Sequence, residues 1–138
     1  MDPEITYCSA CAAPLEETEW EDDLTLKVCP ACGKKAYQNS KPCVVAIILN
    51  RETKEILLTK RGIKPFRDYW DMPGGFLRDG EDPAEGLKRE LREELGAESR
   101  IEELYDILVD TYGEYEVYTF NVCYIVSLLT SELSRFQV

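Results

Sequence analysis

Three glutamates, Glu90, Glu93 and Glu94, crowd into one short stretch beside Arg89. On an α-helix they fall within about 100° of one another, on a single face. Like charges at i,i+3 and i,i+4 destabilise a helix by roughly 0.2–0.5 kcal/mol each. Lys88 and Arg92, which could relieve the crowding, lie on other faces. Such a group is either a solvated charged surface or a cradle for a hard divalent cation, which prefers oxygen ligands. The second reading gives the crowding a use. A second set of ligands comes earlier, where Cys8-x2-Cys11 and Cys29-x2-Cys32 are separated by seventeen residues. Each C-x2-C places two thiolates on a tight knuckle, and two knuckles complete a tetrahedron suited to structural Zn²⁺. Disulfides are the alternative, but they need an oxidising compartment. The acidic N-terminus MDPEITYC is not a signal peptide, so a cytoplasmic location is expected.

The glutamates need a helix, and the sequence around them specifies one over about residues 83–95. Asp82 reads as N-cap, Pro83 as the first helical residue and Glu85 as the closing partner of a capping box. Gly96 is a C-terminal stop. Ala84, Leu87, Leu91 and Leu95 form one stripe that should face the core. Pro42–Leu49 is a nearly continuous apolar run, expected to be a buried strand. Asn50–Lys54 should turn it into a returning strand over Glu55–Thr59. Ile101–Val109 and Glu116–Leu128 are further strands, with Asp110–Tyr115 as the loop between them. Cys43 and Cys123 lack C-x2-C partners and read as small core hydrophobes. Leu24–Val28 alternates like one strand of a zinc-ribbon hairpin, and residues 37–41 form a polar linker.

The 138 residues carry 44% hydrophobic and 31% charged side chains, a balance that supports a packed core rather than disorder. No apolar run reaches the 18 or so residues of a membrane span. A formal charge of −11 argues against general binding to nucleic acid or to an anionic membrane. It also opposes a phosphate-bearing substrate unless cations offset it at the site. Residues 1–36 hold eight acids and three bases, which disfavours nucleic-acid binding by the ribbon and leaves a structural or dimer-contacting role. Lys60, Arg61, Lys64 and Arg67 form a local basic patch in this acidic chain. It is either a solvated loop or a phosphate contact, with Arg61 the best placed because it follows a strand. Tyr112, Tyr115 and Tyr118 either stack a base or simply pack.

Gly75–Ala97 reads GFLRDGEDPAEGLKRELREELGA, which fits G-x5-E-x7-R-E-U-x-E-E-x-G, where U is a bulky aliphatic. This stretch resembles the signature of the Nudix hydrolase family, and seven fixed letters agree. A chance match at a given start is on the order of one in 10⁸. The preceding Trp70-x-x-Pro73-Gly74-Gly75 is similar to the approach common in that family.

The resemblance implies an α/β (more strictly α+β) fold, a mixed-sheet αβα sandwich over residues 39–138, with the zinc ribbon at 1–38. No second amphipathic helix follows residue 128, so this chain is expected to lack the usual C-terminal helix. The implied activity is hydrolysis of a nucleoside diphosphate linked to another moiety, with Mg²⁺ or Mn²⁺ as catalytic cofactor. Carried over position by position, Glu90 and Glu94 are the principal metal ligands, and Glu93 is a further ligand or the base. Arg89 orients a glutamate, Glu81 supports it, the Gly74 carbonyl joins the metal shell, and Gly75 gives the backbone access. Some relatives instead take a base from a downstream loop, which makes Glu114, Glu116 and Glu132 weak candidates. A ribbon before this box is similar to the NADH pyrophosphatase arrangement. Its S-Q-P-W-P-F-P-x-S element is absent, and residues 104–113 read LYDILVDTYG. NAD(H), ADP-ribose and nucleotide sugars are the substrate class implied. A non-catalytic nucleotide sensor is the alternative, although such departures typically lose box glutamates and this chain keeps them.

Overall fold

The structure, a computed structural model, describes residues 4–16, 26–114 and 116–129. The N-terminal ribbon is built from two knuckles with matching hydrogen bonds. In the first, Cys8 N–H donates to Ala13 O and Ala12 N–H to Cys8 O. In the second, Cys29 N–H donates to Lys34 O and Gly33 N–H to Cys29 O. The second knuckle joins an antiparallel hairpin of β1 (Leu26–Val28) and β2 (Lys35–Tyr37). The expected ribbon strand is therefore present over Leu26–Val28, while Leu24 and Thr25 lie outside the described residues. The linker is shorter than expected: Tyr37 pairs with Leu26, and Lys41 already pairs with Thr119 in the next sheet.

The apolar run forms β3 (Lys41–Asn50), whose alternate residues Val44, Ala46 and Ile48 are buried. Its turn at Asn50 is held by the Asn50 side chain, which accepts from Glu52 and Thr53 N–H. The expected return strand is broken in two. β4 (Glu55–Ile56) pairs with β3, whereas β5 (Thr59–Lys60) leaves the sheet to pair with β6 (Trp70–Asp71). β7 (Gly74–Phe76) then takes the same edge of β3, lower down.

After the helix α1 (Pro83–Leu95), β8 (Ser99–Tyr112) and β9 (Val117–Leu128) complete a mixed sheet in the order β4-β3-β9-β8. β3 and β9 run parallel from Lys41–Thr119 to Ile48–Val126, and β8 is antiparallel to β9. The loop expected at Asp110–Tyr115 is tighter than that. Asp110, Thr111 and Tyr112 continue the ladder opposite Thr119, Tyr118 and Val117. Cross-strand pairing of β-branched and aromatic residues extends the strand past the polar stretch.

The helix ends as its residues dictate. Asp82 Oδ1 accepts from Ala84 and Glu85 N–H, and Gly96 stops the helix in the left-handed region at φ 60°. The Glu85 carboxylate goes to Lys88 at 2.8 Å, one turn on, rather than closing a capping box. Leu87, Leu91 and Leu95 are fully buried against Val44, Ala46, Ile48, Val122 and Val126. Each such burial is worth roughly 1.5–3 kcal/mol. Ala84 is only half-buried, and Gly86 takes the buried place instead. A Cβ at Gly86 would come within 2.4 Å of Leu77 Cδ2, so only glycine lets Leu77 pack there undisturbed. Among the described residues α1 is the single helix, packed on one face of the mixed sheet as expected for an α/β sandwich. The segment where a C-terminal helix was expected to be missing lies outside the described residues, from 130 on.

Candidate active site

The helix and β7 together place the carboxylates. The Glu90 carboxyl atoms lie 2.6–2.9 Å from where a Cβ of Gly75 would stand, so the missing side chain of Gly75 is the space Glu90 occupies. Glu94 Oε2 accepts from Gly74 N–H at 3.2 Å. Arg89 locks the group from behind. Its Nε and Nη2 hold Glu81 at 2.6 and 2.8 Å, and its Nη1 reaches Glu90 at 2.6 Å and Glu93 at 3.1 Å. Nη2 also donates to Phe76 O at 3.3 Å, tying the helix to the end of β7. A guanidinium has five N–H donors, and five acceptors surround this one. Hydrogen bonds from Arg89, the leading cause, and from the Arg78 backbone hold the Glu81 carboxyl down at about 2.

Glu90 and Glu94 line a cavity of about 550 Å³ along the sheet face opposite the helix core. Its floor is Cys43, Val45, Asn121 and Cys123, and its far wall is Arg61, Asp71 and Tyr112. Burial, with the Glu90 and Asp71 charges adding to it, pushes the Glu94 carboxyl up to about 7. The donor set is all oxygen and the glycine cradle leaves it room, so these residues fit a hard divalent cation. Glu93 is turned away. It pairs with Arg78 and Arg89, each at 3.1 Å, and its side chain is half exposed.

A NUDIX domain model matches residues 40–134. The chain belongs to the Nudix family. Among curated relatives, the ADP-ribose pyrophosphatase of Methanocaldococcus jannaschii is 27% identical over 92 residues, which are 67% of this chain and 54% of that protein. The NAD-capped RNA hydrolase NudC of Pseudomonas entomophila is 29% identical over 97 residues, 70% of this chain and 33% of that protein. The chain thus spans between a third and about half of these relatives. Among solved structures, a NUDIX hydrolase from Nitrosomonas europaea aligns at TM-score 0.72 and 29% identity, covering 93% of this chain and 70% of its own. A UDP-X diphosphatase aligns at TM-score 0.62 and 25% identity, over 74% of this chain and 48% of its own.

Within this Nudix cavity the basic patch is dispersed. Arg61 lines the cavity, while Lys60 pairs with Asp68 at 3.3 Å and Arg67 is exposed. Lys64 instead joins Pro65, Tyr112, Gly113, Glu114 and Val117 around a second cavity of about 370 Å³. Tyr112 stands at the end of β8 between the two cavities. Tyr118 is half exposed, and Tyr115 and Glu132 lie outside the described residues. Glu116 is exposed. Reading the sequence missed Asp71, which faces Arg61, and Arg78, which faces Glu93. It also missed Asn121, whose Nδ2 donates to Thr119 Oγ1 at 2.9 Å on the cavity floor. The period of two along β9 carries that signal, since Asn121 and Cys123 alternate with buried Val122. Burial pushes the Cys43 thiol up to about 11, so it is an unreactive floor residue as well as an apolar one.

In the ribbon, the Sγ atoms of Cys8, Cys11, Cys29 and Cys32 all lie within 4.8 Å of one another. Cys8–Cys32 and Cys11–Cys29 are each 3.6 Å apart. Four thiolates at 2.3 Å from one ion would stand ~3.8 Å apart, so the geometry fits a tetrahedral metal. The backbone N–H of Ala10, which Cys8 Sγ accepts at 3.4 Å, is the leading cause that draws the Cys8 thiol down to about 6. Among the described residues no helix is long and apolar enough to cross a membrane.

Proposed function

We propose that this Nudix domain hydrolyses the pyrophosphate bond of a nucleoside diphosphate linked to another moiety, of the NAD(H), ADP-ribose or nucleotide-sugar type. The observation that carries the reading is the pairing of Glu90 and Glu94 over Gly74-Gly75, across one cavity from Arg61. In it Glu90, Glu94 and the Gly74 carbonyl would hold Mg²⁺ or Mn²⁺. Such an ion supplies positive charge at the phosphoryl oxygens and lowers the pKa of water at the site. Arg89 and Glu81 keep Glu90 oriented. Arg61, hydrogen-bonded to Tyr112, contacts the substrate's phosphates. The oxygen of water bonds to phosphorus, the bridging P–O bond breaks, and the water proton passes to a carboxylate. Glu93 is that base or a further ligand, once it leaves Arg78. The names of the relatives support pyrophosphate chemistry on nucleotides, and capped RNA belongs in the test for the same reason.

The four-cysteine group holds Zn²⁺ structurally, as its sulfur spacing supports. Four thiolates kept for a metal suit a reducing compartment, which supports a cytoplasmic location. A homodimer is supported by Leu104, Ile107, Val109 and Phe120, exposed on one sheet face beyond the helix. The deciding experiment is a substrate panel with Mg²⁺ and mass-spectrometric product identification. Release of a nucleoside monophosphate from one of these compounds is the expected result. Tight nucleotide binding with no product from any of them would instead establish a sensor.

A further inference from the structure

Arg61 offers five N–H donors and no acceptor. Three are engaged within the protein: Nε with Pro65 O at 3.0 Å, Nη1 with Asp71 Oδ2 at 3.3 Å, and Nη2 with the Tyr112 hydroxyl at 2.9 Å. Its backbone is pinned too, N–H to Tyr69 O and O from Asp68 N–H, both at 2.9 Å. The loop over residues 62–68 is therefore anchored on Arg61 through both side chain and backbone. Phe66 and Asp68 within it sit at φ 61° and 71°, conformations that non-glycine residues keep only where the surroundings over-determine them. The guanidinium carbon lies 5.6 Å over the Tyr112 ring, and Phe66 and Phe76 meet that ring edge-on at 6.5 and 5.7 Å. One face of the ring is thus covered by Arg61, and two phenylalanine rings stand nearly perpendicular to it. A ring held this way is poorly placed to give that face to a base, but its hydroxyl is well placed to fix the guanidinium.

We propose that Tyr112 is a positioning residue: its hydroxyl latches Arg61, so that the two remaining N–H groups meet a pair of phosphate oxygens of a nucleoside diphosphate across from Glu90 and Glu94. The inference rests on the pyrophosphohydrolase reading above. A free surface arginine loses its rotamer freedom when it binds phosphate, whereas Arg61 has already lost it on folding. The Pro65 carbonyl and the Asp71 carboxylate hold Nε and Nη1 of the same rigid plane, and the hydroxyl adds the third anchor, at Nη2.

The test compares Tyr112→Phe with Tyr112→Leu on the panel substrate the wild type turns over fastest. A hydrogen bond to a charged group is lost in both, so KM should rise ~10-fold in each, with kcat falling less than about threefold. Arg61→Lys, which keeps charge but loses the fork, should raise KM by a similar factor. Adding Tyr112→Phe to it should then cost less than about twofold more, because the partner is already gone. Wild-type KM in Tyr112→Phe with a loss only in Tyr112→Leu would overturn the latch in favour of ring stacking. A lowered Tm with unchanged KM in both would reduce Tyr112 to a structural residue. If the wild type hydrolyses nothing, the activity reading fails separately. The latch is then judged by the Kd of ADP-ribose in Ca²⁺, which Tyr112→Phe must weaken ~10-fold, and an unchanged Kd, or no binding by the wild type, overturns it.

Discussion

Glu94 is the side chain where burial and charge pull hardest against each other. Its carboxyl is pushed up to about 7, against 4.5 for an ordinary glutamate, chiefly because burial penalises the anion. The folded state therefore holds this proton more tightly than the unfolded chain does. Its contribution to stability is complete below about 4.5 and is lost as pH rises through about 7. A divalent cation held by this carboxylate would reverse the preference by favouring the anion, and protons would compete with it below pH 7. Thermal melts across this range, with and without Mg²⁺, should show a larger Mg²⁺-induced rise in Tm at pH 8 than at pH 6. In Glu94→Gln the metal-free Tm should lose this pH-dependent component, and the Mg²⁺ shift should vanish at both pH values. The same variant should lose metal-dependent release of nucleoside monophosphate, roughly 10²-fold or more in kcat, with its circular dichroism spectrum retained. Normal turnover by Glu94→Gln would falsify the role given to this helix.

At the scale of elements, the site is a seam between α1 and β7, and glycine makes the seam possible. A methyl group at Gly75 would fall within 2.6–2.9 Å of the Glu90 carboxyl atoms, which are the flexible end of a side chain. The sheet can tolerate that and Glu90 cannot. Gly75→Ala should keep its Tm within a few degrees while kcat/KM drops about 30-fold or more, measured alongside Mg²⁺ affinity. At Gly74 the added Cβ would instead meet the Val44 carbonyl at 2.1 Å, in the backbone of the central strand. There the fold itself should suffer, so Gly74→Ala serves as the contrasting variant. Leu91 stands at the same junction on the buried side, and Leu91→Ala should cost about 3 kcal/mol in chemical denaturation.

The whole molecule combines two ways of holding a fold together. The sheet and helix bury an apolar cluster, whereas among the described residues β1 and β2 pair with each other and share no extensive contact with the sheet. A metal held by the four thiols of the ribbon would then supply much of its folding energy. A zinc-selective chelator should release about one Zn²⁺ per chain and abolish amide protection at residues 26–37, while β3 and β9 stay protected in hydrogen exchange. Cys29→Ser should reproduce that pattern without metal removal.

Local chemistry was legible in the residues themselves. The N-cap Asp82, the stop at Gly96, the leucine stripe, the paired C-x2-C knuckles and the glutamate spacing depend on neighbours within a few positions, where helical and turn geometry leave little choice. Contacts between distant segments were not. That Arg61 meets Tyr112, that Asp71 faces Arg61, that β5 leaves the sheet for β6, and that Glu93 turns to Arg78 all depend on how distant segments pack. The period of two named the faces of β3 and β9, but only their parallel register set Cys43, Asn121 and Cys123 side by side on the cavity floor. By itself the sequence determined which groups carry the chemistry suited to metal or phosphate. The tertiary structure decided which of them share one cavity, because convergence in space is set by strand register and packing, which no local pattern encodes.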